Sequence, residues 1–585
     1  MYGPQTPYAQ HLHETKYRSE GESFDDYCVR YARVAADDDN HFRHLLDALR
    51  YQRILPAGRQ QLAVGRPYEI TAMNCYVGGL VPDTSEGIMD ELKCSMLTLR
   101  SGGGCGWDFS TLRPYGDPIR GLGIKAYATG PVSFMGCWDA MCSTVLSAGH
   151  RRGAMMGVLR VDHPDIMRFI NAKADSNTLT NFNVSVAITD SFIDALHRGS
   201  TYPLVFGDRR YGEAHAVDVW ARIMERNWDW GEPGVLFIDQ INRMNPLDYC
   251  ETIRATNPCG EQPLPPNGAC LLGSLNLIKY LIDPQPISLA NSDDYVPTRI
   301  DNGYSLDWDL LRLDVATACR AFDNVIDNTR YPLEAQREEA QNKRRMGIGV
   351  TAMANALEIM GHSYGSPSYL EWSTKILETI RDTAYHTSVS AVKKKGQFPY
   401  FDAKGWLRSG FAKTLPRELR SRIRKEGLRN GLLLSIAPTG TISMCADNVS
   451  SGIEPPFALS SRRLVHMPEG QVEVELDDWA FSRGVSGLTA QDIPAKDHIR
   501  VLCATQKYVD SSVSKTCNVV GAHPGEEGLH FDEFKELYMM AHEGGAKGCT
   551  TFNSNGKRAG ILVAKPAEGA ACFIDPNTGE RSCEE

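Results

Sequence analysis

The constraint that most narrows the fold is an alternation of two hydrophobic periods. From about residue 70, short apolar or β-branched runs such as NVSVAIT (183–189), YPLVF (202–206), GVLFI (234–238) and GLLLSIA (431–437) are interleaved with stretches of helical period, SFIDALHRG and HAVDVWARIMERNW among them. Runs that are continuously apolar rather than alternating suit strands covered on both faces, so the pattern predicts an α/β protein with buried parallel strands. Residues 24–50 instead carry apolar positions at helical spacing, broken by Asp37-Asp38-Asp39-Asn40, and predict two small helices at the N-terminal end. The polar stretches 283–305 and about 463–497 read as peripheral insertions.

Charge and cysteine usage exclude several classes. With 62 Lys+Arg against 72 Asp+Glu in 585 residues, the net charge of −10 disfavours binding to nucleic acid or an anionic membrane. The N-terminus is polar and no run approaches 18 apolar residues, so a cytoplasmic location without a membrane span is expected. Sixteen cysteines there should be largely reduced, and none forms a Cys-x-x-Cys pair. No metal site is expected.

Candidate chemistry concentrates in Asn257-Pro258-Cys259-Gly260-Glu261 and in Cys270 of ACLLGSLNL. The intervening QPLPPNGA holds three prolines and an Asn-Gly, so the segment reads as a stiff loop presenting a thiol beside a carboxylate. As a bare pattern it also suits ordinary structure. Ala437-Pro438-Thr439-Gly440-Thr441-Ile442-Ser443 combines a glycine and three hydroxyls after an apolar run, the ingredients of a phosphate cradle at a strand-to-helix turn or of a plain turn and helix cap. Gly347-Ile348-Gly349 lacks a third glycine in register and reads as helix packing rather than a dinucleotide site.

Seven ordered motifs, NCYVGG at Cys75, RSGGGCGWDFSTLRP (100–114), HRRGAMMGVLRVDHPDI (150–166), LTNFNVSVAITDSF (179–192), ATNPCGEQ, ACLLGSLNL and LSIAPTGTIS, together resemble the catalytic subunit of the ribonucleotide reductases, specifically the adenosylcobalamin-dependent class II. The resemblance implies a ten-stranded α/β barrel over 66–563, an N-terminal helical region over 1–65 and a mobile redox tail over 564–585. It implies Cys259 as the thiyl radical that takes the ribose 3′-hydrogen, Glu261 as the acceptor of the 3′-hydroxyl proton, Asn257 as a ribose hydrogen-bonding group, and Cys75 with Cys270 as the dithiol oxidised to a disulfide. Without their motifs, these last two would read as buried, hydrophobe-like cysteines. It assigns 437–443 to the substrate phosphates, with diphosphates favoured over triphosphates. It places a deoxynucleotide effector at Asp83 and at loop 174–181, with Ser176 and Asn177, although Asp83 or Thr84 could equally cap a helix.

The radical source follows from the C-terminal region by the same resemblance. No Arg-x-x-Gly-Tyr segment marks a glycyl radical, and Gly545-Ala546-Lys547 is followed by Thr550 and Thr551 where chains served by a separate radical subunit carry paired tyrosines. KGCTTF resembles the class II pattern, with Phe552 at its usual tyrosine, and the lack of Asp-x-His-x-x-Gly implies that the cobalamin keeps its own lower base. Residues 1–50 show nothing like an ATP-sensing module. In the tail, Pro576-Asn577-Thr578-Gly579 predicts a turn that sets Cys572 opposite Cys583, a hairpin suited to carrying electrons from the Cys75–Cys270 pair to thioredoxin or a glutaredoxin-like donor. A homodimer is compatible with this reading. The alternatives are a class I-type subunit and a catalytically silent nucleotide sensor.

Overall fold

The computed structural model describes residues 2–119, 124–145, 153–174, 177–283, 303–467, 470–522, 527–557, 572–574 and 581–583. Ten strands form one sheet. In chain order they are β1 (Ile54–Pro56), β2 (Cys75–Val77), β3 (Gly104–Asp108), β4 (Met155–Arg160), β5 (Phe182–Ile188), β6 (Gly234–Phe237), β7 (Ala269–Asn276), β8 (Met346–Thr351), β9 (Thr516–Val519) and β10 (Gly548–Asn553). Strands β2 to β6 run parallel to one another, as do β7 with β8 and β9 with β10. The two sets meet antiparallel at β2–β7 and at β6–β10, a reversal that the parallel expectation did not contain.

The ladder of strands does not close into a full barrel. The gap between β8 and β9 is spanned by single bridges, Ile348 to Leu434 and Ile436 to Val513. The run 431–437, expected as a strand, is therefore only a bridged segment. Asp510 holds it there: its carboxylate accepts from Leu433 N at 2.7 Å, Leu434 N at 2.9 Å and Tyr385 Oη at 2.5 Å. Gly347 and Gly349 lie on β8 rather than in a helix contact, and a Cβ on Gly349 would sit 2.3 Å from Ser435 O, so the glycine admits the bridging segment. YPLVF is a strand, but in a separate hairpin, Thr201–Phe206 with Arg209–His215.

Strands β7 and β8 are buried along their whole length, as strands covered on both faces must be. Outside the sheet, Trp107, Phe109, Trp138 and Phe182 pack edge to face beneath the helices. Inside it, Val77, Met156, Val158, Ala187, Leu236 and Leu272 surround Ala255 and Leu264. The N-terminal helices are α1 (Pro7–Tyr17), α2 (Phe24–Ala35) and α3 (Asp39–Arg50). The last two stand where the sequence placed them, divided because Asp38 caps α3 by accepting from His41 N. Helix α1 was not foreseen, and Asp447 anchors the chain at its start by accepting from Gln5 N and Thr6 N at 2.8 Å each. Of the insertion 283–305, most lies outside the described residues, while Ser460–Met467 pairs antiparallel with Gly470–Asp477. No helix among the described residues is long and apolar enough to cross a membrane.

Glu358 is a buried carboxyl with no side-chain hydrogen-bond partner among the described residues; burial and the nearby Asp478 push it up to about 8. The folded protein thus keeps a proton that the unfolded chain releases near 4.5, so stability should fall by roughly 1.4 kcal/mol per pH unit between those values. Denaturant melts from pH 5 to 9 should show a decline in wild type that is largely absent in Glu358→Gln.

Candidate active site

Residues 255–264 fold back on themselves as a two-stranded finger, Ala255–Thr256 against Pro263–Leu264, inserted within the curved sheet against β2, β3 and β4. Gly260 adopts a left-handed φ of 80° at its tip, and its N–H donates to Asn257 O at 3.1 Å, closing the turn. The finger can lie this close because of Gly106 on β3, where an added Cβ would stand 1.9 Å from Thr256 O. Gly106→Ala should therefore displace the finger and cost about 1–3 kcal/mol of stability, read as a lowered thermal midpoint together with loss of reactivity at Cys259.

The finger separates its two functional groups. Cys259 is exposed at its tip, whereas Glu261 is buried. Glu261 is fixed through its backbone, its carbonyl accepting from Ser512 N and Ser435 Oγ at 3.0 Å each. Burial raises its carboxyl above the usual range, and Oε2 has no hydrogen-bond partner among the described residues, leaving an open acceptor position. Asn257 is oriented by accepting from Gln262 N at 2.9 Å, which turns its Nδ2 toward Cys75 Sγ at 3.1 Å. Cys75 Sγ in turn donates toward Glu261 Oε1 at 3.6 Å. Thus Asn257, Glu261 and Cys75 form one connected polar group in the interior.

Cys75 and Cys270 are directly opposite each other in the antiparallel β2–β7 register. Opposed residues in such a pair have Cα atoms about 4.5–5.5 Å apart, within the span of a disulfide. Both are reduced thiols here, and burial holds both well above their ordinary range. For Cys270 the burial outweighs the opposing influence of Arg345. Treating the protein with diamide under denaturant-free conditions should yield a cross-linked pair of peptides containing Cys75 and Cys270, absent in Cys270→Ser. Peptide mapping that finds both thiols unlinked would contradict this juxtaposition.

Cys259 opens onto a cavity of about 470 Å³. Its wall includes the beginnings of β4 to β6, Pro438 and Gly440 of the 437–443 segment, and Ser451, Glu454, Lys515, Thr516 and Thr550. The 437–443 segment does form the expected turn into a helix, Gly440–Met444, with Thr439 in the left-handed region. Its groups are divided between two tasks. Thr439 Oγ1 is committed to Thr351 Oγ1 at 3.0 Å and Gly452 N at 2.7 Å, and Ser443 Oγ to Gly440 O and Ser451 Oγ at 2.9 Å each. Ala437, Pro438, Thr441 and Ile442 complete the turn, and Pro438 and Gly440 face the cavity.

The residues expected at an effector site are not gathered in the cavity. Asp83 accepts from Arg113 Nε at 2.8 Å and Arg113 N at 3.1 Å, while Thr84 caps the following helix, Ser85–Arg100. Asn177 lies in a loop remote from the finger in sequence, and Ser176 lies outside the described residues. In the tail, Cys572–Ile574 pairs with Arg581–Cys583 in the expected register, Cys572 opposite Cys583; the connecting turn 575–580 lies outside the described residues. Sequence reasoning missed Glu454 and Lys515. The polar run Ser511-Ser512-Val513-Ser514-Lys515-Thr516 beside apolar Val519 and Val520 was the available signal.

Comparison with known proteins accords with this geometry. The profile described as "Ribonucleotide reductase, barrel domain" matches residues 73–478 and 488–552. The chain belongs to the ribonucleotide reductase family. It is 34% identical over 521 residues to the vitamin B12-dependent ribonucleoside-diphosphate reductase of Thermoplasma acidophilum, covering 83% of this chain and 62% of that protein. Against the protein of the same name from Mycobacterium tuberculosis H37Rv it is 33% identical over 542 residues, covering 86% and 70%. The vitamin B12-dependent ribonucleotide reductase of Streptomyces clavuligerus is 26% identical over 643 residues, covering 94% and 63%. The chain thus spans about two thirds of the length of these relatives.

Proposed function

We propose that this chain reduces ribonucleotides, with diphosphates as the preferred substrates, to 2′-deoxyribonucleotides by thiyl-radical chemistry initiated by adenosylcobalamin. The observation that carries the reading is the division of labour in the finger: an exposed Cys259 on a nucleotide-sized cavity, with Glu261, Asn257 and Cys75 hydrogen-bonded together in the interior and Cys270 opposite Cys75.

Adenosylcobalamin, when bound, would supply the one-electron chemistry that converts the Cys259 thiol to a thiyl. The residues fit such a source, because Cys259 is directly reachable from the cavity and no tyrosine is among the described residues lining it. Thr550 and Thr551 cannot relay an electron hole, which disfavours dependence on a distant radical subunit, and Thr551 is committed to Tyr538 Oη and Asn227.

The Cys259 thiyl takes the ribose 3′-hydrogen, and Glu261, raised by burial and open at Oε2, accepts the 3′-hydroxyl proton. Asn257 holds the ribose in place. The 2′-hydroxyl leaves as water with one proton from the Cys75–Cys270 dithiol, the second thiol hydrogen goes to C2′, and the pair, having supplied two electrons, becomes a disulfide. Glu261 returns its proton to the 3′-oxygen, Cys259 returns its hydrogen to C3′, and the thiyl is regenerated. The backbone of 437–443, which faces the cavity at Pro438 and Gly440, would hold the substrate phosphates. The Cys572–Cys583 register supports a tail that reduces the spent disulfide with electrons from thioredoxin or a similar dithiol. Asp83 and the loop carrying Ser176 and Asn177 remain the proposed place of a deoxynucleotide effector; there Arg113 would have to yield Asp83 or share it with the ligand.

Anaerobic conversion of a ribonucleoside diphosphate with adenosylcobalamin, a dithiol and a deoxynucleotide effector should give cobalamin-dependent product. Cys259→Ala should abolish it, and Cys75→Ser or Cys270→Ser should reduce it to less than one turnover. Product formed without cobalamin, or retained in Cys259→Ala, would overturn the reading.

A further inference from the structure

One charged assembly on the cavity wall has no part in the reaction described above. Glu454 Oε1 accepts from Thr516 N at 2.6 Å and Oε2 from Lys515 Nζ at 2.5 Å. The Lys515 ammonium also donates to Thr516 O at 2.7 Å and to His498 Nδ1 at 2.9 Å, which accounts for all three of its hydrogens. His498 Nε2 meets Ala490 O at 3.0 Å. Burial and the adjacent Lys515 lower His498 to about 3, so the imidazole is neutral, with its hydrogen on Nε2 toward the carbonyl and its lone pair on Nδ1 toward lysine. Every group behind Glu454 therefore has one orientation available.

The Lys515 side chain is 1% exposed and that of Glu454 23% exposed, and both residues border the cavity onto which Cys259 opens. A carboxylate offers about four acceptor positions, of which two are used here. Two acceptors on one rigid carboxylate match two adjacent hydroxyl donors, as in the recognition of a ribose by an acidic residue. A cationic ligand would gain less, because Lys515 already neutralises the charge.

We propose that Glu454, held by Lys515 and Thr516, is the residue that binds the vicinal diol of a ribose inside this cavity. The inference rests on the reading of the cavity as a nucleotide site. A diol could come from the substrate nucleotide or from the adenosyl group of the cofactor, and the chemistry of recognition is the same for both.

Calorimetric titration in a Cys259→Ala background separates them, since nothing turns over. One arm compares 5′-deoxyadenosine with its 2′,3′-dideoxy analogue, and the other compares cytidine diphosphate with 2′,3′-dideoxycytidine diphosphate. In one arm, the diol-bearing ligand should bind about tenfold or more tightly than its analogue, and Glu454→Ala should cut that difference about tenfold while leaving the analogue's affinity unchanged, with only the part that Asn257 and Glu261 supply remaining in the substrate arm. Glu454→Asp, which retains the charge on a shorter arm, should restore part of it. The arm that responds names the source. If neither diol contributes in the unsubstituted Glu454 protein, or if Glu454→Ala leaves the contribution undiminished in both arms, the proposal is overturned. The titration needs no catalysis, so this result and the cobalamin-dependent assay can fail independently.

Discussion

The structure depends on a close backbone contact, the passage of Thr256 O across Gly106. Ten residues of finger are inserted within a curved sheet, and only the missing side chain on β3 lets them approach far enough to bring Glu261 and Asn257 beside Cys75. Gly349 serves the same end by admitting the bridging segment whose Ser435 hydroxyl holds the Glu261 carbonyl. Interior space, rather than any single strong bond, is what positions the reacting groups.

Desolvation then divides the roles among similar side chains. Cys259 and Cys75 differ less in chemistry than in surroundings: one stands exposed at a turn, the other is buried against Cys270, a carboxyl and an amide. A buried thiol kept protonated can donate hydrogen, and a carboxyl raised by burial can act as a base. The same principle makes Lys515 useful at the cavity wall, where a buried ammonium with all its hydrogens engaged fixes a neighbouring carboxylate.

The sequence by itself determined the alternation of strands and helices and the non-helical course of 257–269, because these rest on local periodicity and on proline and turn residues, while the resemblance of its ordered motifs to a known family implied Cys259, Glu261, Asn257, Cys75 and Cys270 as a group. It also determined the pairing register of the tail, since turn chemistry at 576–579 sets the partners on either side. Only the tertiary structure decided the reversal of direction between the two sets of strands, the bridged gap at 431–437 and the position of Gly347 and Gly349 on a strand. It alone showed Asp83 engaged by Arg113 and Glu454 joined to Lys515. Those features arise from partners 30 and 61 residues apart in the chain, and no local pattern of hydrophobicity or turn residues encodes a contact of that range.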